Sequence, residues 1–163
     1  MRESTLDFSI GFDLLRWGDS IEQIESLYPV HGKTSPRTGR NPETGEVIRI
    51  GPGVAIRPGH FRAPVDTNGI ELWLRARVGP DGGTDTIGLF SGDGDDRYSG
   101  TTEEQWTGAI VALVQRLSRV FGFGPVDPEI IDQSWQLPEV TVKLLLESGE
   151  FSLTFKHHGP SDG

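Results

Sequence analysis

The chain has 163 residues, no cysteine and a formal net charge of -9. The lack of cysteine excludes a disulfide framework, a thiolate metal site and a cysteine nucleophile. The negative charge opposes binding to a polyanion unless the cations are clustered. No apolar run is long enough to span a membrane, and the first residues lack the basic and apolar parts of a signal peptide. We therefore expect a single domain over residues 1–158, a disordered tail at 159–163, and a cytoplasmic location without membrane contact.

Two patterns occur before residue 30. Apolar and polar residues alternate from Leu6 to Leu14, which predicts a half-buried strand. Ser20 and Gln23 then have the spacing of a capping box. They predict a short helix with one apolar stripe, which Pro29 ends.

Residues 31–62 are rich in glycine and proline and carry six cationic residues against two acidic ones. Within this block Val47–Ile50 predicts a strand, and Asn41–Gly45 supplies the turn before it. Together they predict a protruding hairpin arm at about 33–60. The local charge is +4, which leaves -13 for the rest of a chain whose total is -9. The arm is therefore a basic element on an acidic body.

The sequence at the tip of the arm is similar to that of a known protein family. Residues 39–59 resemble the DNA-binding arm of the HU/IHF histone-like family, chiefly through Gly-Arg-Asn-Pro-Glu-Thr-Gly at 39–45 and Arg-Pro-Gly at 57–59. In that family the ribbon enters the minor groove. The resemblance implies that Arg40 enters the groove beside Asn41 and that Pro42 wedges between base pairs. The open alternative is a surface hairpin whose turn needs Asn-Pro and Thr-Gly.

A second alternating segment runs from Ile70 to Val78 and is followed by a turn and a partner strand at Thr86–Phe90. Its polar face carries Trp73 between charged neighbours, including Arg75 and Arg77. A tryptophan flanked by arginines is typical of an interface hot spot. The alternative is that a helix covers this face and buries Trp73.

The longest helix is predicted over Thr102–Phe121, with Thr101 and Glu104 as its capping box. Its apolar face comprises Trp106, Ile110, Leu113, Val114, Leu117, Val120 and Phe121. Strands are expected at 134–137, 140–146 and 151–155. The order of elements predicts an α+β fold with a mainly antiparallel sheet, two helices packed on one face, and the protruding Gly/Pro-rich hairpin.

Before this helix lies an acidic segment that contains Asp93, Asp95 and Asp96. Its spacing matches part of an EF-hand loop. Arg97 and Tyr98, however, occupy positions that require an oxygen ligand and a glycine. We therefore predict no metal site here. As an acidic patch, the segment predicts docking of a basic partner.

The four histidines and the many carboxylates form no recognisable catalytic motif, and no phosphate-binding loop occurs. We therefore expect no catalytic residues, no enzyme activity and no cofactor.

The chain as a whole resembles the small acidic immunity proteins of bacterial toxin systems. The resemblance is carried by Trp-Gly-Asp-Ser at 17–20, Phe-Gly-Phe-Gly-Pro at 121–125, and Trp135 before a final hairpin. It implies a protein that binds a cognate toxin, expected to be basic, and covers its active site. The candidate contacts are Asp93, Asp95, Asp96, Arg97, Trp73, Arg75, Arg77, Arg40, Asn41 and Pro42. The alternative function is nucleic-acid binding through the arm.

Overall fold

The computed structural model describes residues 3–5, 7–34, 37–67, 70–79, 81–91, 103–147 and 150–158. The elements in these ranges are, in chain order, β1 Gly11–Phe12, β2 Leu15–Arg16, α1 Ile21–Leu27, β3 Gly32–Thr34, β4 Arg37–Arg40, β5 Val47–Ile50, β6 Gly53–Ile56, β7 Leu72–Val78, β8 Thr84–Ser91, α2 Glu103–Phe121, β9 Asp132–Gln136, β10 Val140–Glu147 and β11 Glu150–His157.

Seven of the strands form one sheet in the order β3-β6-β7-β8-β11-β10-β9. Every neighbouring pair in it is antiparallel. Two further pairs, β1-β2 and β4-β5, form small separate sheets. The chain is therefore an α+β protein with a mainly antiparallel sheet, as the sequence predicted.

The hydrophobic core lies on one face of the seven-stranded sheet. Along β7 the apolar residues from Leu72 to Val78 are buried at every second position. The same alternation buries three residues of β11, from Phe151 to Phe155. The buried residues of both helices belong to the same cluster, including Ile24 of α1 and Leu113 of α2. Both helices therefore pack on this face, and the alternate residues of each strand point to the other one.

Capping interactions at its two ends determine the bounds of helix α1. Ser20 Oγ accepts a hydrogen bond from the Gln23 amide at 3.2 Å, and Gln23 Oε1 accepts one from the Ser20 amide at 2.7 Å. This is the predicted capping box. Tyr28 has an extended backbone and forms the C-cap, so the helix ends at Leu27, two residues before Pro29.

Helix α2 follows the prediction except at one apolar position. Its face with Ile110, Leu113 and Leu117 is buried, whereas Val120 is 41% exposed. The helix ends at Phe121, and Gly122 follows with φ +70°, where its amide donates to the Ser118 carbonyl at 2.7 Å. Thr101 and the side chain of Trp106 lie outside the described part of the chain.

The predicted strand from Leu6 to Leu14 is wrong. Residues 8–10 form a turn, and within the described residues 7–14 only Gly11 and Phe12 are in a strand, where they pair with Arg16 and Leu15. The alternation fails because Phe8 and Phe12 are buried while Ile10 is 47% exposed. Burial of these two rings against the core takes precedence over the local period of two.

The structure also contains short strands whose positions the sequence patterns did not give. β3 and β6 form one edge of the large sheet, and β4 completes the arm by pairing with β5. Each has at most four residues, which is too short for a clear alternation.

We expect Gly11→Ala to destabilise the protein by about 1–3 kcal/mol. A Cβ at this position would lie 2.0 Å from the Leu15 carbonyl oxygen, so the β1-β2 hairpin has to open. Urea unfolding measures the effect. Gly32→Ala is the matched control, because a Cβ there meets nothing within 4 Å. Equal midpoints for the two variants would contradict the close approach at Gly11.

Candidate functional site

The face of the seven-stranded sheet opposite the helices, called the open face here, carries the predicted contact residues of β7. Trp73, Arg75 and Arg77 alternate with the buried residues of that strand and therefore all point to the open face. The register of β8 places Phe90 beside Trp73 and Gly88 beside Arg75. The structure thus brings the three predicted residues into one row.

Aromatic contacts organise the Trp73 end of this row. The rings of Trp73 and Phe90 are stacked with centroids 6.1 Å apart, and the His31 ring lies 5.3 Å from Trp73. The guanidinium carbon of Arg75 is 4.4 Å from the centroid of Phe90, a cation–π geometry. Arg57 Nε donates to His31 Nδ1 at 2.8 Å, which holds the histidine in place.

A small hollow of about 90 Å³ lies at the other end of the row. It is lined by Arg75, Arg77, Thr86, Gly88, Phe90, Ser152 and Thr154. These residues come from three neighbouring strands, because Gly88 of β8 lies between Arg75 of β7 and Thr154 of β11. The lining offers guanidinium groups and hydroxyls.

Two polar groups on the open face are buried without a partner. Trp73 Nε1 and Arg77 Nε are shielded from solvent and have no hydrogen-bond acceptor among the described residues. Leaving a buried donor unpaired costs about 1–3 kcal/mol. Such groups are rare in folded proteins and call for an explanation. Within the described part of the chain, hydrogen bonding along this row is therefore incomplete.

Two lysines extend the cationic side chains of the open face beyond this row. Lys143 and Lys156 pair with Thr154 and Thr86 in the register, so they belong to the same face as the hollow. Asp132 lies on this face at the β9 edge, opposite Leu145, and the register positions of Glu147 and Glu150, which pair with each other, alternate onto the same face. A protein of net charge -9 thus presents four cationic side chains on one face of its sheet.

The arm is a two-stranded hairpin, as predicted, and its turn is fixed by hydrogen bonds. The Asn41 amide donates to the Glu46 carbonyl at 2.9 Å, and the Gly45 amide donates to the Asn41 carbonyl at 2.8 Å. Asn41 Oδ1 also accepts from the Glu43 amide at 2.9 Å. Gly45 has φ +72°, the positive value expected for it. Asn41 therefore shapes the turn, while Arg40 and Pro42 are exposed.

The arm and the β7 row belong to different sheets. The hairpin extends from the ends of β3 and β6, where Thr34 pairs with Gly53 and Gly53 pairs with Arg77. The arm therefore begins at the Arg77 end of the row. The remaining predicted contacts, Asp93, Asp95, Asp96 and Arg97, lie outside the described residues, so this part of the predicted site stays a prediction.

Sequence reasoning missed most of the hollow. Thr86, Gly88 and Phe90 alternate with buried residues of β8, and that period of two is visible in the sequence. Ser152 and Thr154 alternate in the same way on β11. The pairing of β8 with β11, which unites these residues, has no local signal because the paired residues are 62 to 70 positions apart in the chain.

A second concave region contains a buried carboxylate. A cleft of about 420 Å³ is lined by Asp13, Leu14, Leu27, Tyr28, Gly59, His60, Phe61 and Arg62. Asp13 is 4% exposed and has φ +53°, a strained backbone for a residue other than glycine. Its carboxylate accepts hydrogen bonds from Ser4 Oγ at 2.7 Å, Tyr28 OH at 2.7 Å and the Arg62 amide at 3.3 Å.

These contacts give Asp13 a structural function. Both carboxylate oxygens are occupied by donors, and Tyr28 OH accepts in turn from the Leu14 amide at 2.8 Å. The group joins the N-terminal segment, the end of α1 and the loop at 57–62. Burial and the hydrogen bond to Asp13 raise the pKa of Tyr28 well above its usual range.

The described residues contain neither a metal-binding cluster nor a membrane-spanning helix. No three His, Asp or Glu side chains in those ranges are grouped so that they hold a metal ion. No helix among them is both long and apolar enough to cross a membrane. In comparisons with known proteins, no family model matches the chain, and searches of curated proteins and solved structures find no significant match.

Alkaline pH should test the Tyr28 hydrogen bond. Unfolded Tyr28 loses its proton above about pH 10, whereas the folded protein keeps it. The contribution of the Tyr28 hydroxyl to the free energy of unfolding is therefore fully present below that pH, and it is lost as the pH rises above it. We expect Tyr28→Phe to be destabilised by about 1–3 kcal/mol at neutral pH, since Asp13 and the Leu14 amide lose their partner.

The measurement that tests this is the slope of the free energy of unfolding against pH, determined by urea unfolding between neutral and alkaline pH. Tyr28→Phe should lose less stability above about pH 10 than the wild type does. Ser4→Ala is the control, because it removes another donor to Asp13 without removing a titrating group. It should keep the wild-type slope. An unchanged slope in Tyr28→Phe would show that burial does not hold the phenol neutral.

Proposed function

We propose that this chain is a non-enzymatic binding protein of the immunity type, which neutralises a cognate bacterial toxin by covering the toxin's active site. The observation that carries the proposal is the row of Trp73, Arg75 and Arg77 on the open face. Tryptophan and arginine are the residue types enriched at interface hot spots. The resemblance of the chain to immunity proteins supplies the class of partner.

The shape of the open face supports a macromolecular partner. Small-molecule sites are clefts of roughly 300–1,000 Å³, whereas the hollow on this face has a volume of about 90 Å³. A stable protein interface buries about 800 Å² on each partner, mostly on shallow surfaces. The open face of a seven-stranded sheet provides such a surface. On it, Trp73 Nε1 and Arg77 Nε are buried donors that have no acceptor among the described residues.

Charge complementarity indicates what the partner presents to this face. Its cations, Arg75, Arg77, Lys143 and Lys156, favour acidic side chains on the partner at this contact. The basic surface expected on the toxin would instead face the acidic segment at Asp93–Asp96. The two expectations concern different surfaces of one partner, so a toxin with a basic active site and an acidic flank satisfies both.

We expect the double variant Trp73→Ala/Arg77→Ala to raise the Kd for the toxic domain encoded by a neighbouring reading frame by at least about 30-fold. Calorimetry with the purified toxic domain measures the Kd, and growth of cells that express both proteins measures protection. Val120→Ala is the control, since it truncates an exposed apolar residue on the helix side. No protection by the wild type, or full affinity in the double variant, would overturn the proposal.

Nucleic-acid binding through the arm is the second candidate function. The observation that favours it is a hairpin outside the main sheet, with Arg40 and Pro42 exposed at its turn and Asn41 holding the turn together. A rigid basic ribbon with an exposed proline is the kind of element that inserts into a minor groove. The body's charge opposes this binding.

In this second function, Arg40→Ala/Pro42→Ala would abolish retention of a duplex of about 20 base pairs in a gel-shift assay at low salt. Wild-type affinity would fall with rising salt, and the loss of one phosphate contact would lower the slope by about 1. Glu43→Gln, on the same turn, removes a negative charge and should strengthen retention slightly. A wild type that gives no shift at low salt excludes this function.

A further inference from the structure

The hollow on the open face has a lining of hydrogen-bond donors without a carboxylate. Arg75 and Arg77 contribute guanidinium groups, and Thr86, Ser152 and Thr154 contribute hydroxyls. Arg77 Nε has no acceptor among the described residues. Guanidinium groups bind planar oxyanions through paired N–H groups, and hydroxyls can donate to the same oxygens. The chemistry of the lining therefore selects an oxyanion.

Gly88 creates the space. It lies at the centre of the hollow, between Arg75 and Thr154 in the register. A Cβ added there would be 3.8 Å from the Leu153 carbonyl oxygen and 3.9 Å from Thr154 Oγ1, which are ordinary contacts. The backbone therefore does not require glycine at this position. What the glycine provides is room above the sheet, next to the arginines.

The size of the hollow limits the oxyanion to a small one. Its volume of about 90 Å³ admits a single functional group. A carboxylate is the oxyanion that a protein surface presents in its unmodified state, and its planar shape matches the arginine fork.

We propose that the hollow receives the carboxylate of one Asp or Glu side chain of the partner protein. The proposal deepens the function given above and rests on it, since it names the group that anchors the partner to the open face. Arg77 pairs with the carboxylate, the hydroxyls of Thr86 and Thr154 complete its hydrogen bonds, and Phe90 with Arg75 forms one wall.

The isolated carboxylate can be tested without the partner. In NMR titrations with sodium acetate at constant ionic strength, the amide signals of Gly88 and Thr154 should shift and saturate with a Kd of about 1–10 mM. Gly88→Val fills the hollow, and Arg77→Gln removes its charge. Each should raise the Kd at least about tenfold. Gly32→Val is the matched control, because it adds the same side chain at the sheet edge where a Cβ meets nothing within 4 Å.

Three outcomes would overturn the proposal. The first is an acetate titration without saturable shifts. The second is acetate binding that survives in both Gly88→Val and Arg77→Gln. The third is inorganic phosphate binding more than about tenfold tighter than acetate, which would assign the hollow to a phosphate group. If Gly88→Val does not fold, Thr154→Val keeps the side-chain shape, removes one hydroxyl, and should weaken acetate binding severalfold.

Failure here is distinguishable from failure of the proposed function. If acetate does not bind but Trp73→Ala/Arg77→Ala still loses the toxin, the open face docks a partner without a carboxylate in the hollow. If acetate binds and the double variant keeps the toxin, the hollow is an anion site on a face that does not dock the toxin, and the proposal as stated is wrong.

Discussion

The packing of the Phe155 ring at the centre of the sheet is the interaction on which the rest of the fold depends. Its ring is fully buried and lies 3.9 Å from the ring of Phe8 and 5.5 Å from that of Phe121, measured between centroids. These contacts join the N-terminal segment, the end of α2 and the middle of the sheet. Because strand side chains alternate, the face that buries Phe155 also decides which residues remain on the opposite face.

The burial of Phe155 determines which residues lie on the open face. Phe155 pairs with Ile87, and Ile87 with Ala76, so the neighbouring row consists of Thr154, Gly88 and Arg75. A slip of one residue in β8 would carry its polar residues into the core and expose its apolar ones. The hydrophobic core thus fixes the register, and the register brings together the groups of the hollow. The hollow is thus assembled by the pairing of β7, β8 and β11.

The predictable parts of this protein are those with a local physical cause. The capping box at Ser20 fixed the start of α1, and the alternation along β7 placed Trp73 and its arginines on the face opposite the core. The N-terminal strand failed because contacts with distant rings override its alternation, and Asp13 takes a positive φ that tertiary hydrogen bonds support. Ser152 and Thr154 lie in the hollow because β11 pairs with β8. A short stretch of sequence carries no signal for a pairing between such distant segments.

Charge is unevenly distributed in this chain. The net charge is negative, whereas the open face carries cationic side chains. A net charge of -9 repels polyanions and other copies of an acidic protein at long range. In the proposed complex, the cations of the open face would act at short range, where a docked partner excludes water. In that complex, a carboxylate of the partner would be attracted to the open face only when it is aligned with Arg75 and Arg77. Such an arrangement disfavours misaligned complexes, so it increases specificity more than the rate of association.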